Sequence, residues 1–169
     1  MDEIVKAAMA KWPHVPDCRG WLGLDARGDW YLRDDACQAA GPFPQAKGSR
    51  LRHDKLIGFI HRNYAPDAQG AWYFQNGPQR VYAALEAAPL VLRLHDDGTV
   101  VDHTGESLAP REAVLDEAGW LYLDTPKGLG LVHSLDMALA AERLEGSAWP
   151  LVEVASADLP ARYGFVRQP

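Results

Sequence analysis

The chain has 169 residues, 47% of them hydrophobic, and a formal net charge of −6. That is enough apolar material to bury the core of one ordinary domain or of two small lobes. The acidic balance argues against a nucleic-acid-binding surface, because phosphate binding needs clustered Lys and Arg.

The cysteines and the apolar segments indicate the cellular location of the protein. Cys18 and Cys37 are too few for a disulfide scaffold, and their spacing matches no zinc pattern. The acidic N-terminus lacks a secretory signal pattern, and no apolar run approaches the roughly 20 residues that span a bilayer. The sequence therefore predicts reduced thiols, no membrane segment and a cytoplasmic location.

The first predicted elements are a helix and a hairpin. Apolar residues recur at helical spacing between Asp2 and Trp12, which predicts an inward face formed by Ile4, Val5, Ala8, Met9 and Trp12. Strands at 21–24 and 30–32 are predicted to pair across the turn between them. A polar loop follows at 34–48, and its tip is expected to pack through Phe43.

A second helix is predicted over residues 50–63. Ser49 precedes the apolar periodicity and is expected to be its N-cap. His61 and Arg62 suit the negative C-terminal end of this helix, and Pro66 is expected to close it.

The next predicted element is an aromatic hairpin over residues 72–82, with Asn76 and Gly77 in its tight turn. The acidic-x-x-Gly turn that precedes this hairpin, beginning at Asp67, has copies at Asp25 and Asp116. Each copy feeds a strand rich in aromatic residues, so the sequence predicts a turn-and-strand unit used three times.

The C-terminal half predicts a meander at 90–103, a hairpin around the Asp116 turn, a helix at 134–144 and a last strand at 151–154. Its helices are separated by antiparallel pairs rather than alternating strand by strand, which favours an α+β class with about three helices. Two lobes are expected, 1–88 and 89–169, unless the chain forms one continuous domain.

Residues 20–86 carry a two-strand opening, a helix, a Trp-Tyr-Phe strand, a turn and a Gln-Arg-Val-Tyr strand. In this run the chain resembles uncharacterised proteobacterial proteins with a domain of unknown function. Its element order is also similar to that of a related bacterial family with repeated β-α-β motifs and a pleckstrin-homology-like lobe. That resemblance implies a signalling or ligand-binding role and supplies no catalytic residues.

The first candidate ligand-binding set consists of Lys47, Ser49, Arg50 and Arg52. A glycine and a hydroxyl before a helix N-terminus, with cations close by, favour weak anion or phospho-ligand binding. The alternative is that Ser49 only caps the helix and the cations are solvated.

The second set lies in the turn of the aromatic hairpin and consists of Gln75, Asn76 and Arg80, with Gln79 beside them. Amides and a guanidinium can make directional hydrogen bonds to a carboxylate or a peptide. The alternative is that these residues serve turn geometry and that Arg80 pairs with a nearby carboxylate.

A third set, His95, Asp102 and His103, has side chains that can ligate metals on two predicted strands. An ordinary solvated hairpin is the alternative, and no metal site or cofactor is predicted. The best hypothesis is a non-enzymatic ligand-binding or regulatory module with a small anionic or peptide ligand or a protein partner. The alternatives are a metal-dependent enzyme using the third set and a structural or assembly protein.

Overall fold

Strand-forming segments separated by glycine turns dominate this chain, and they form thirteen β-strands and five α-helices. A computed structural model describes residues 1–169. Two units are present: unit 1 comprises Met1–Asp25, Asp29–Glu86 and Phe165–Pro169, and unit 2 comprises Ala26–Gly28 and Ala87–Gly164. The α+β class predicted from the sequence is confirmed.

Unit 1 contains a six-stranded sheet. Its strands are β1 (Cys18–Leu24), β2 (Trp30–Leu32), β3 (Ser49–Arg50), β4 (Tyr64–Pro66), β5 (Trp72–Asn76) and β6 (Gln79–Leu85). The strand order is β3-β2-β1-β6-β5-β4. Only β1 and β6 pair in parallel, so the sheet consists of two antiparallel meanders joined through their first and last strands.

Three helices belong to unit 1: α1 (Glu3–Lys11), α2 (Asp35–Ala40) and α3 (Asp54–Arg62). The predicted inward face of the first helix is wrong in part. Val5 is buried, but Ile4 is 75% exposed and Trp12 is 51% exposed. The apolar spacing predicted the helix correctly, although only part of its apolar face is buried.

The helix predicted to begin at Ser49 is also different. Ser49 and Arg50 form β3, which pairs with β2, and α3 begins only at Asp54. The side chain of His53 caps α3 by accepting the N–H of Leu56 at 3.3 Å. Pairing with the open edge of β2 gives the backbone N–H and C=O groups of this segment hydrogen-bond partners. A helix that began at Ser49 would leave its first N–H groups without backbone partners.

The polar loop at 34–48 is held by one buried arginine. Arg33, 4% exposed, donates to the carbonyls of Gly20, Gly41 and Ala46. Phe43 at the loop tip is fully buried, as the sequence predicts, and it packs on Gly23. A Cβ at Gly23 would lie 2.5 Å from the Phe43 ring, so glycine makes room for this contact.

Unit 2 contains a seven-stranded sheet. Its strands are β7 (Leu90–Leu94), β8 (Val100–Asp102), β9 (Ser107–Leu108), β10 (Glu112–Leu115), β11 (Leu121–Asp124), β12 (Leu129–Val132) and β13 (Leu151–Glu153). The strand order is β13-β10-β11-β12-β7-β8-β9. A 3₁₀ turn at Ser134–Asp136 leads into α4 (Met137–Glu145), and α5 (Leu159–Tyr163) follows β13.

The two sheets repeat one strand order. Each sheet contains two meanders of three strands. The first strand of the first meander pairs in parallel with the last strand of the second meander. In unit 1, α3 connects the two meanders, whereas in unit 2 the connection between β9 and β10 contains no helix. Unit 2 adds β13, which pairs in parallel with β10 at the sheet edge.

The acidic-x-x-Gly turns explain how these meanders are built. In the turns that begin at Asp67, Asp102 and Asp116, carboxylate Oδ1 accepts the backbone N–H groups two and four residues later, at 2.8–3.1 Å. Asp25 Oδ1 accepts the backbone N–H four residues later, that of Asp29, at 2.9 Å. The glycine three residues after each aspartate has φ between 82° and 93°, which a side chain would disfavour.

The other carboxylate oxygen of each aspartate binds outside the turn. Asp67 Oδ2 accepts the Tyr82 hydroxyl at 2.9 Å, and Asp116 Oδ2 accepts the Tyr122 hydroxyl at 3.4 Å. The Oδ2 atoms of Asp25 and Asp102 lie 3.5 Å from Lys47 Nζ and 2.6 Å from Lys127 Nζ. One side chain therefore shapes each turn and ties it to the sheet or to a loop.

Removing this double role at Asp67 should destabilise the protein. We expect Asp67→Ala to lower the free energy of unfolding by about 2–3 kcal/mol, since it removes a charged acceptor from two amides and a hydroxyl. Asp67→Asn, which keeps an oxygen acceptor, should lose less. Urea denaturation would measure both, with Asp97→Ala in an exposed turn as the control.

In a double-mutant cycle, Asp67→Asn and Tyr82→Phe should couple, because they share one hydrogen bond. Strict additivity, or an Asp97→Ala loss as large as that of Asp67→Ala, would contradict the double role.

Acid should destabilise the protein through three aspartates. Burial raises the carboxyl pKa of Asp67, Asp102 and Asp136, but hydrogen bonds and cations outweigh it, and the net pKa of each lies below its ordinary value. Because the unfolded state then binds more protons, their stabilisation is complete above about pH 4 and is lost as pH falls below it. Urea midpoints between pH 6 and pH 2.5 would measure this, and a midpoint that rises with acidity would contradict it.

Candidate functional site

A cleft of about 330 Å³ in unit 1 brings together two of the predicted ligand-binding residues, Gln75 and Arg80. The end of α1 and the segment after it form the rest of its wall. The other lining residues are Met9, Trp12, Pro13, Val15, Asp17 and Pro78.

The β5–β6 hairpin places Gln75 and Arg80 side by side. They are directly opposed in the antiparallel register, so their side chains lie on the same face of the sheet. Gly77, with φ of 58°, allows the tight turn between the strands. Asn76 is exposed and does not line the cleft, because successive side chains of a strand alternate between faces.

Gln75 is a buried amide with only one of its polar atoms satisfied. It is 1% exposed, and its Nε2 donates to the carbonyl of Gly77 at 3.0 Å. That donation fixes the amide orientation and leaves Oε1 as the second polar atom, which has no hydrogen-bond partner. A buried acceptor that lacks a hydrogen-bond partner costs a folded protein about 1–3 kcal/mol.

Arg80 is a fixed cation beside Gln75. Its guanidinium lies 4.5 Å from the centre of the Tyr73 ring. Hydrogen bonding to Tyr82 raises the pKa of Arg80, burial opposes the rise, and the charges of Tyr73, Tyr82 and Asp17 add to it. The Tyr82 hydroxyl in turn donates to Asp67, so the cation is held by the same contact that holds the turn.

The opposite wall of the cleft is apolar and aromatic. Trp12 is half exposed there, and Lys11 Nζ lies 4.5 Å from the centre of its ring. Asp17 supplies a carboxylate, and its Oδ2 lies 3.8 Å from Arg19. The cleft can therefore offer an apolar surface, one cation and one anion to a ligand, and the buried amide of Gln75 lies in its wall.

Trp12 and Asp17 are the site residues that sequence reasoning missed. Trp12 fits the apolar helical spacing, which predicts that it lies on the inward face of the helix. A signal was nevertheless present, since Pro13 directly follows Trp12 and ends the helix at the residue before it. A Trp at such an end has fewer neighbours to cover it.

Lys47 does not join this cleft. Its ammonium lies 3.5 Å from both Asp25 and Glu86, and 5.3 Å from the centre of the Tyr31 ring. Burial lowers the pKa of Lys47, but Glu86 and Asp25 raise it by more, and the net shift is upward. Lys47 is thus a charged residue with two anionic partners already in place.

The remaining members of the first predicted set are also apart from the cleft. Ser49 and Arg50 lie in β3, and Arg50 pairs with Asp29 at 3.0 Å. Strands β2 and β1 separate β3 from β6, which at normal strand spacing is about 14 Å. Arg52 is exposed, and the helix N-terminus that argued for an anion at Ser49 starts instead at Asp54.

His95, Asp102 and His103 do not converge on a metal site. No group of three or more His, Cys, Asp or Glu side chains has an arrangement that holds a metal ion. The Asp102 carboxylate instead binds Lys127 and the Thr104 hydroxyl, and His103 Nδ1 accepts the N–H of Val91 at 3.2 Å. This geometry favours a structural hairpin over metal chemistry.

Comparison with known proteins supports family membership and fold. The family model DUF2944, described as "Protein of unknown function (DUF2946)", matches residues 1–169. No curated protein matches the chain. None of the five helices has the length and hydropathy needed to cross a bilayer.

Two crystal structures of DUF1285 family proteins match this chain. The protein from Silicibacter pomeroyi DSS-3 has a TM-score of 0.51 and 14% identity, over 84% of this chain and 84% of that chain. The protein from Shewanella baltica OS155 has a TM-score of 0.49 and 14% identity, over 72% of this chain and 91% of that chain. Because only 14% of residues are identical, the similarity to the Silicibacter pomeroyi protein shows the fold alone.

Two buried amides allow a test of whether Gln75 has a structural role. Gln75 and Asn63 are both 1% exposed, but Asn63 Oδ1 accepts the N–H of Asp2 and its Nδ2 donates to Phe59. We expect Gln75→Met to change the free energy of unfolding by no more than about 1 kcal/mol, because the lost Gly77 bond is offset by removing an unpaired oxygen. Asn63→Leu should cost about 2–3 kcal/mol.

Urea denaturation of the two variants would make this comparison. Equal losses would mean that Gln75 stabilises the fold and is not reserved for a ligand.

Proposed function

Because the chain belongs to the DUF2944 family of proteins of unknown function, we propose its function from its own geometry: a non-enzymatic ligand-binding or regulatory module. The proposed ligand is a short peptide or a small peptide-like carboxylate that occupies the cleft of unit 1.

The observation that carries this proposal is the unpaired Oε1 of Gln75. Buried polar atoms are nearly always hydrogen-bonded, and exceptions call for a reason. A ligand N–H that reaches Oε1 would satisfy this acceptor. An amide N–H, as in a peptide bond, is the simplest donor of this kind.

Arg80 supplies the second element of recognition. A guanidinium binds a carboxylate through two parallel hydrogen bonds, which gives both orientation and free energy. Tyr73 and Tyr82 fix the Arg80 side chain before any ligand arrives, so little side-chain entropy is lost on binding. In a chain of net charge −6, a local cation of this kind marks where an anionic group is favoured.

The apolar wall and the size of the cleft complete the argument. Trp12 and Met9 would pack against an apolar side chain, and Asp17 can accept a further N–H. A volume of about 330 Å³ falls at the lower end of small-molecule sites. This combination suits one or two residues of a peptide that end in a carboxylate.

The proposal includes a cytoplasmic location and no metal. Both cysteines are free thiols, which is the ordinary state in a reducing compartment. A regulatory role follows naturally, since the cleft offers recognition groups without a nucleophile paired to a base.

A pair of probes that differ only in charge would test the site. N-acetyl-L-phenylalanine and N-acetyl-L-phenylalaninamide both carry a phenyl ring and an N–H, and only the first carries a carboxylate. In ¹H–¹⁵N NMR titrations at millimolar concentration, the acid should bind at least about 10-fold tighter than the amide, because it alone pairs with Arg80. Both should shift the Gln75 side-chain amide.

The variants separate the two contacts. Arg80→Gln should abolish the preference for the acid, whereas Arg52→Gln, an exposed matched control, should preserve it. Gln75→Met should weaken both probes alike. The absence of shifts at Gln75 and Arg80, or a preference that survives Arg80→Gln, would overturn the proposal.

A further inference from the structure

At the end of the β5–β6 hairpin an asparagine, Asn76, is followed directly by a glycine, Gly77. We infer that this pair is a site of spontaneous deamidation in the folded protein, which converts Asn76 into aspartate and isoaspartate. Water is the co-reactant, and the modification adds one negative charge to the formal −6 of the chain. The reaction needs no ligand in the cleft, so it is independent of the function proposed above.

The reaction begins at the backbone nitrogen of Gly77. This nitrogen loses its proton and attacks Cγ of Asn76, and the side-chain amide nitrogen of Asn76 leaves as ammonia with that proton. The product is a five-membered succinimide, in which the Gly77 nitrogen joins Cγ to the backbone carbonyl carbon of residue 76. Water then opens the ring at one of these two carbons. Opening at Cγ gives aspartate, and opening at the backbone carbon gives isoaspartate.

The Asn76 side chain is available for this reaction. It is exposed, and no hydrogen bond or ion pair holds its amide. Asn63, the other asparagine of the chain, is 1% exposed. Its Oδ1 accepts the N–H of Asp2 at 2.9 Å, and its Nδ2 donates to the Phe59 carbonyl at 2.8 Å. The fold therefore restrains one asparagine, a residue type that is chemically labile, and leaves the other accessible.

Gly77 leaves its nitrogen open to the reaction. A Cβ built at Gly77 would have one neighbour within 4 Å, the Ala8 Cβ at 3.9 Å, so the space around the turn is open. The strand register ends at the pair of Asn76 and Gln79, and no backbone carbonyl accepts the Gly77 N–H. Attack on Cγ requires rotation about the Asn76 Cα–C bond and hence brief opening of this last pair. Such local opening costs much less free energy than global unfolding.

Isoaspartate would change the wall of the cleft in unit 1. It lengthens the backbone between residues 76 and 77 by one methylene, because the chain then runs through Cβ and Cγ. The Gly77 carbonyl accepts Gln75 Nε2 at 3.0 Å, and Gln75 lines the cleft. A displaced Gly77 carbonyl would lose this contact, which orients the Gln75 amide. Aspartate, by contrast, keeps the backbone length and adds only the charge.

Peptide mapping would test the site. The purified protein is incubated in mildly alkaline buffer made with ¹⁸O water, both folded and in guanidinium chloride, and is then digested with trypsin. The ¹⁸O label separates deamidation during the incubation from deamidation during digestion. Residues 63–80 form one tryptic peptide that contains both asparagines, so tandem mass spectrometry compares them directly.

In the folded protein, Asn76 should convert within about 100-fold of its rate in guanidinium chloride, because only local opening is needed. Isoaspartate should be the larger product, and Asn63 should stay unmodified.

Two variants separate the charge from the backbone change. Asn76→Gln should abolish conversion at this position, since glutamine closes the larger six-membered ring far more slowly. Freshly prepared Asn76→Asp carries the new charge without the extra methylene, so the Gln75 side-chain amide signal in ¹H–¹⁵N NMR should stay near its wild-type position. The isoaspartate form, isolated by chromatography, should shift that signal.

Two mapping results would overturn the inference. They are an Asn76 that stays intact in the folded protein while it converts in guanidinium chloride, and conversion of Asn63 as fast as that of Asn76. An unshifted Gln75 amide in the isoaspartate form would overturn the effect on the cleft.

Discussion

This architecture depends on aspartate carboxylates whose two oxygens bind different partners. In each of four turns, one oxygen accepts backbone N–H groups of the turn and the other binds a tyrosine or lysine outside it. The first role sets the exit direction of the next strand, and the second prevents the turn from moving away from the sheet. Asp25, Asp102 and Asp116 are each at most 7% exposed, so a partner for each oxygen is required rather than optional.

The same contact connects the scaffold to the proposed chemistry of unit 1. Asp67 binds the Tyr82 hydroxyl, Tyr82 raises the pKa of Arg80 through hydrogen bonding, and Arg80 is paired with Gln75 across the hairpin. A recognition group placed at the end of such a chain loses little entropy on binding, because turn, tyrosine and guanidinium are already in position. The proposed recognition role of this hairpin is therefore compatible with its structural role, since the Tyr73 ring lies against the Arg80 guanidinium.

The two units share one strand order, so differences between their surfaces come from their side chains. Each sheet joins two meanders through a parallel pair, and each second meander opens with an aspartate turn that binds a tyrosine hydroxyl. The side chains differ despite this common frame. The cleft in unit 1 is lined by Gln75, Arg80 and Asp17, whereas the unit 2 pocket beside β11 and β12 is lined mainly by apolar residues. The strand order determines where side chains can meet, and the side chains determine what they can bind.

The sequence by itself determined the α+β class, the hairpins and the acidic-x-x-Gly turns, because strand alternation, glycine at positive φ and aspartate acceptors act within a few residues. It also indicated Gln75 and Arg80 as polar residues of one turn. Only the tertiary structure decided that Ser49 joins a strand edge, that Lys47 forms ion pairs with Asp25 and Glu86, and that Trp12 lines a cleft. Those outcomes depend on partners distant in the chain, and local spacing carries no information about which distant carboxylate, open strand edge or uncovered surface a residue will meet.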